Sequence, residues 1–76
     1  MAELIAEIAR RLVDEPAAVR VTTEEREDAV VLLLHVAPGD IGKVIGRQGR
    51  IARALRTVAR AGSVRAGKRV LLEIAE

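Results

Sequence analysis

Residues 29–36, AVVLLLHV, are almost continuously apolar and β-branched at their start. A run of that kind reads as a strand buried on both faces, with other strands beside it and helices above. The remaining residues must supply that cover, and there are few of them. The chain has 76 residues, one small domain, and at this length only about 60% of the unfolded surface is buried on folding. Half of the residues are hydrophobic, but all of these are aliphatic or alanine, since there is no Phe, Trp or Tyr. The absence of cysteine excludes a disulfide-stapled secreted scaffold.

The flanking segments show what can build the rest. Leu4, Ile5, Ile8, Leu12 and Val13 recur at helical spacing, so residues 2–13 read as an amphipathic helix. Asp14-Glu15-Pro16 stops it, because a residue before proline is pushed out of the helical region. Val19, Val21 and Thr23 alternate with polar residues as a short strand, and residues 24–28, EERED, are charged enough to form a hairpin turn. After the apolar run, residues 37–40, APGD, break the strand. Asp40 is placed to cap a short helix, Ile41 to Ile45, which Gly46 can end in a left-handed conformation. A second helix is expected over residues 49–61, then a flexible connection, GSVRAG at 62–67, then a closing strand at about 69–75. The order is helix, strand, strand, helix, helix, strand. It predicts an α+β fold with an antiparallel hairpin, a parallel closing strand, and a mixed three-stranded sheet with helices packed on one face.

Charge divides the chain unequally. Residues 1–36 carry four arginines against eight acids, whereas residues 37–76 carry nine basic residues against three acids. Such asymmetry points one face toward an anionic partner. On a helical wheel Arg50, Arg53, Arg56 and Arg60 cluster on one side of the second helix, with Ile51, Ala54, Leu55 and Val58 opposite, toward the core. Just before this helix stands Gly46-Arg47-Gln48-Gly49, a G-x-x-G turn between two helices. Without Cβ atoms at Gly46 and Gly49 a sugar–phosphate chain can approach closely. The amides that open the following helix lack partners and carry the positive end of its dipole, which favours phosphate. Arg47 adds charge, Gln48 adds hydrogen bonds, and Lys43 and Arg50 flank the turn.

At these residues the chain resembles the KH domain, in its type II (prokaryotic) element order, and more closely the small bacterial single-KH proteins of the KhpA family. The resemblance runs nearly end to end, and VAPGDIGKVIGRQGRIA, residues 36–52, carries most of it. It implies one KH domain over residues 1–76 whose G-x-x-G loop holds about four nucleotides of single-stranded nucleic acid. Position by position, Gly46, Arg47, Gln48 and Gly49 become the phosphate clamp, Lys43 and Arg50 add backbone contacts, and Ile41, Val44 and Ile45 form an apolar floor for bases. The middle strand and the 62–67 loop face them across the groove, with Arg65 and Lys68 reaching phosphates. The resemblance further implies a cytoplasmic, post-transcriptional role as an RNA-binding protein, and self-association or pairing with a larger KhpB-type partner linked to cell elongation and division.

Other chemistries find no support. Gly42 to Gly49 does not spell a P-loop, and GSVRAGKR at 62–69 has Arg69 where a magnesium-binding hydroxyl is needed and leads into a strand. No G-x-G occurs for a dinucleotide site. His35 is the only histidine, Ser63 the only serine, and neither stands in a catalytic or metal-ligating constellation. The residues therefore predict no enzyme, no metal and no cofactor. The acid-bearing N-terminus is neither a signal peptide nor a membrane span. Three readings remain: an RNA-binding module, a protein-pairing module that uses the same surface, and a DNA binder. Without aromatic residues, base stacking on side-chain platforms is unavailable to any of them.

Overall fold

The computed structural model describes residues 1–75. Helix α1 (Ala2–Leu12) is followed by a 3-10 turn (Pro16–Ala18) and the hairpin β1 (Arg20–Glu25) and β2 (Ala29–His35). A second 3-10 turn (Pro38–Asp40) leads into α2 (Ile41–Ile45), a third (Arg47–Gly49) into α3 (Arg50–Ala61), and a single helical turn α4 (Ser63–Ala66) into β3 (Arg69–Ile74). The sheet order is β1-β2-β3, so the apolar run is the central strand. β1 pairs antiparallel to β2, with Val21 opposite Leu34 and Thr23 opposite Leu32. β3 pairs parallel to β2, with Val30 beside Val70 and Leu32 beside Leu72.

Alternate residues of the strands meet the helices. Leu32, Leu34, Val70 and Leu72 pack with Ile5 and Ala9 of α1, Val44 of α2, and Leu55 and Ala59 of α3 in one core cluster. The faces expected of two helices shift here. On α1 the buried residues are Ile5, Ala6 and Ala9, while Leu4 and Leu12 remain 48% and 36% exposed. On α3, Ala52 and Ala59 are inside with Leu55, whereas Ala54 faces solvent. Alanine fits either environment, so the neighbours that fix the rotation of each helix decide its burial.

The central strand is not covered equally on its two faces. Its second face holds Val31, which is buried, but Leu33 and His35 are only half-buried. On this face the Thr22 hydroxyl and His35 Nε2 share a cross-strand hydrogen bond of 3.2 Å, the satisfied role expected of a lone histidine. The stretch read as a connection contains one helical turn. α4 ends at Gly67 in the left-handed region, φ 68°, and Ser63 Oγ accepts the Val70 N–H at 3.0 Å. Asp40 also departs from its expected role: it is buried, but its carboxylate makes no capping hydrogen bond to α2.

Candidate nucleic-acid interface

The G-x-x-G turn is built by backbone conformation. Gly46 closes α2, its N–H donating to the Gly42 carbonyl at 2.9 Å, and then takes φ 75°, ψ 173°. A Cβ at Gly46 would lie 2.7 Å from Ile51 Cγ1, so glycine is required there both by dihedral and by space. Gln48 adopts φ 57° and Gly49 φ 73°, which turns the chain into α3. Nothing in the protein lies within 4 Å of a Cβ built on Gly49, leaving its outer side open. Arg47 and Gln48 are exposed. The N-terminus of α3 has no side-chain cap; the Gly49 and Arg50 N–H groups turn back to the Gly46 and Arg47 carbonyls, and the positive end of this twelve-residue helix faces the turn.

From this turn a row of arginines leads to the sheet. Arg53 Nη2 donates to the Gln48 carbonyl at 3.1 Å, and Arg56 Nε reaches the Leu72 carbonyl at 3.4 Å. Arg56, Arg60 and Ser63, together with β3 residues 69–73, line an open cavity of about 680 Å³. The wall of this cavity is the edge strand β3, whereas the sequence reading sets the central strand across from α2. An edge strand leaves alternate backbone groups unpaired by the ladder; here the Val70 N–H goes to Ser63 and the Leu72 carbonyl to Arg56. Arg53, Arg56 and Arg60 belong to the arginine side read from the helical wheel, whereas nothing in the sequence places Ser63 and β3 beside them. The arginine periodicity was the available signal, but locating it required knowing which strand lies beneath α3.

The other expected site residues divide. Arg50 is exposed beside the turn. Ile41 and Ile45 are half-buried, while Val44 has 0% exposure and belongs to the core, which removes it from any surface floor. Lys43 is exposed but engaged: its Nζ donates to Asp14 Oδ2 at 2.8 Å and lies 3.4 Å from Asp40 Oδ1. The Asp14 carboxylate, through that hydrogen bond and its charge, raises the Lys43 ammonium above its ordinary value, with Asp40 adding to the effect. Lys68 donates to Glu25 Oε1 at 3.2 Å and to the Arg26 carbonyl at 3.1 Å, tying the hairpin turn to the start of β3. Arg65 lies on α4 and borders a separate cavity beside Met1, away from the α3–β3 groove lining. Among the described residues no group of histidine, cysteine or carboxylate side chains is arranged to hold a metal, and no helix is long and apolar enough to cross a membrane.

The family model for the KH domain of KhpA and KhpB matches residues 2–74. This chain belongs to the KhpA/KhpB KH-domain family. The RNA-binding protein KhpA of Clostridium acetobutylicum is 51% identical over 74 residues, covering 97% of this chain and 99% of that protein. Its counterpart in Aquifex aeolicus is 53% identical over 74 residues, covering 97% and 94%. The Listeria monocytogenes protein of the same name aligns over the full length of both chains at 45% identity. Among solved structures, a crystal structure of Aquifex aeolicus Era superposes with a TM-score of 0.65 at 22% identity, over 96% of this chain and 28% of that one. At that identity the likeness concerns the fold alone. Membership in the KhpA/KhpB family agrees with the α+β element order, the mixed three-stranded sheet and the position of the G-x-x-G turn between α2 and α3.

Proposed function

We propose that this KhpA-family KH domain is a non-enzymatic RNA-binding protein that holds single-stranded RNA by its phosphates. The observation that carries the reading is an exposed, left-handed glycine turn at the mouth of an uncapped helix whose exposed side is a row of arginines. A phosphate at residues 46–49 would meet the positive end of the α3 dipole and the exposed Arg47 guanidinium together. The strand then follows Arg53, Arg56 and Arg60 along the groove against β3, with Arg50 beside its entry. Ile41 and Ile45 offer apolar surface to bases, and recognition rests on van der Waals contact and base-edge hydrogen bonds. Relatives about half identical over nearly their whole length bear the name RNA-binding protein, which supports RNA as the ligand. A cytoplasmic post-transcriptional regulator or RNA chaperone is the role that fits such a module.

The direct test replaces Arg47 and Gln48 together with aspartate. Both side chains are exposed, so the fold should persist while phosphate is repelled. Loss of RNA binding with unchanged circular dichroism supports the clamp, and wild-type affinity refutes it. Competition between RNA and DNA oligomers of matched sequence distinguishes the two nucleic acids through the 2′-hydroxyl.

A second reading is favoured by one observation. Met1, Leu4 and Leu12 are exposed apolar side chains spread along α1 from its N-cap to its last residue. This apolar surface suits pairing with another copy or with a larger KhpB-type protein, and such pairing is compatible with RNA binding because two linked sites add avidity. Sedimentation with and without RNA separates the outcomes: a dimer that RNA dissociates makes pairing and binding competitors, and a monomer at high concentration removes the self-pairing reading.

A further inference from the structure

Asp40 is the one buried charged residue among the described residues, 3% exposed, and its partners lie far from it in sequence. Its Oδ2 accepts the Glu15 N–H at 3.0 Å across 25 residues, while Oδ1 faces the Lys43 ammonium, which in turn holds Asp14. Three segments thus meet at one carboxylate: the corner after α1, the 3-10 turn that ends at Asp40, and α2. Helix α2 has five residues, too few to hold its conformation unaided. At its other end it carries Gly46, whose N–H bonds to Gly42 within α2. Val44 is the one fully buried residue of α2, and Ile51 of α3 packs against Gly46 at its end.

We propose that Asp40 is a positioning residue for nucleic-acid binding: it anchors α2 to the corner after α1, so fixing the G-x-x-G turn, and together with Asp14 it keeps Lys43 as a brace, not a phosphate contact. The proposal rests on the RNA-binding reading for its functional half, but the anchoring half stands on the protein alone. Two features argue for a brace. Lys43 already has two carboxylates within 3.4 Å, so moving to a phosphate would exchange anionic partners and leave the buried Asp40 with one fewer. Asp40 also keeps its amide hydrogen bond from Glu15 whether or not a ligand is present, so its anchoring does not depend on occupancy. Arg47, Arg50, Arg53, Arg56 and Arg60, by contrast, have no carboxylate partner among the described residues and are free to meet an anion.

The experiment compares full-length Asp40→Asn, Lys43→Met and Asp14→Asn with wild type. Two quantities are read: amide hydrogen exchange at Gly46 and Gly49 without RNA, and the salt dependence of binding to a fluorescein-labelled single-stranded RNA of mixed sequence. Asp40→Asn should speed exchange at Gly46 and Gly49 about tenfold relative to the central-strand amides, and weaken binding by a similar factor. Lys43→Met should weaken binding less and leave the log–log salt slope at the wild-type value. Asp14→Asn, which removes the nearer partner of Lys43, should weaken binding no more than Lys43→Met does and keep the wild-type salt slope; a steeper slope would show Lys43 released to phosphate and support the brace. A slope reduced by about 0.7 in Lys43→Met would make Lys43 a phosphate contact and overturn the brace. Unchanged exchange at Gly46 and Gly49 in Asp40→Asn would overturn the anchoring. If Asp40→Asn does not fold, exchange and slope in Lys43→Met decide: faster exchange with an unchanged slope supports the proposal, and unchanged exchange or a reduced slope overturns it. Should wild type bind no RNA, the functional reading fails by itself, and the exchange comparison still tests the anchor.

Discussion

Gly46 faces the Ile51 side chain so closely that a Cβ on the glycine would stand 2.7 Å from Ile51 Cγ1 and 3.0 Å from Ile51 Cβ. This contact couples the end of α2 to the first turn of α3 and makes the glycine structural as well as permissive. Gly46→Ala therefore combines a positive-φ strain with overpacking, together about 2–4 kcal/mol. For a domain of this size thermal denaturation should show Tm lowered by roughly 10 °C or more. Gly49→Ala shares the left-handed backbone but meets open space, so it should cost only about 1 kcal/mol. If a phosphate approaches the turn as proposed, Gly49→Ala nonetheless loses RNA affinity, because the added methyl occupies the ligand's side. Normal RNA binding by a folded Gly49→Ala protein would count against close backbone approach at that position.

Gln48 is the one non-glycine residue with positive φ among the described residues, at 57°. A left-handed conformation costs a side-chain-bearing residue about 1–2 kcal/mol, and glycine gives back about 0.5–1 kcal/mol of that through its freer unfolded chain. Gln48→Gly should thus be mildly stabilising, raising Tm by a few degrees, while removing whatever hydrogen bonds the amide offers a ligand. Opposite movement of stability and affinity is the signature to look for. A drop in Tm would mean that the glutamine side chain supports the turn in the free protein.

The sequence made some of this architecture legible and concealed other parts, for identifiable reasons. Alternation at Val21 and Thr23 and the apolar run 29–36 specify strands because a pleated strand reads its environment every second residue, but β1 starts after Val19 and runs on through Glu24 and Glu25, whose charge suggests a turn. Proline and glycine marked the breaks, and the spacing of Gly46 and Gly49 placed the turn correctly between two helices. What stayed hidden depends on partners distant along the chain. Asp40 has the position of a helix cap, yet it binds the amide of Glu15; Lys43 and Lys68 have the positions of phosphate contacts, yet they pair with Asp14 and Glu25. Burial of Val44 and the edge position of β3 beneath the arginine row likewise follow from tertiary packing. α4 escaped notice because one helical turn between two glycines has too few residues to show a period.

Acid stability should report Asp40. Burial alone pushes this carboxyl up, but the amide hydrogen bonds from Glu15 and Asp14 and the Lys43 ammonium outweigh it and hold the group below its ordinary 3.8. A carboxyl depressed on folding contributes stability that is fully present above its unfolded value and is lost as the pH falls through its folded value. Urea midpoints measured from neutral pH downward should accordingly hold steady until the ordinary carboxylate range and fall below it. In Asp40→Asn that acid-side decline should be shallower and the neutral-pH midpoint lower. An acid limb of wild-type steepness in the variant would show that other carboxylates carry it.

Arg56 and Arg60 test whether the ligand runs from the glycine turn along β3. Both are exposed on α3 and line the groove, and methionine at either position keeps most of the apolar stem while removing the charge. Arg56→Met also releases the Leu72 carbonyl, but this lies on an open edge where water can replace the guanidinium, so stability should change by no more than about 0.5 kcal/mol. Each arginine that contacts a phosphate of single-stranded RNA contributes about −0.7 to the slope of log affinity against log salt. The single variants should flatten that slope by about this amount, and the double variant by about 1.4, with the glycine turn intact. A double variant with the wild-type slope would place the RNA strand off the α3–β3 groove even if residues 46–49 still hold one phosphate.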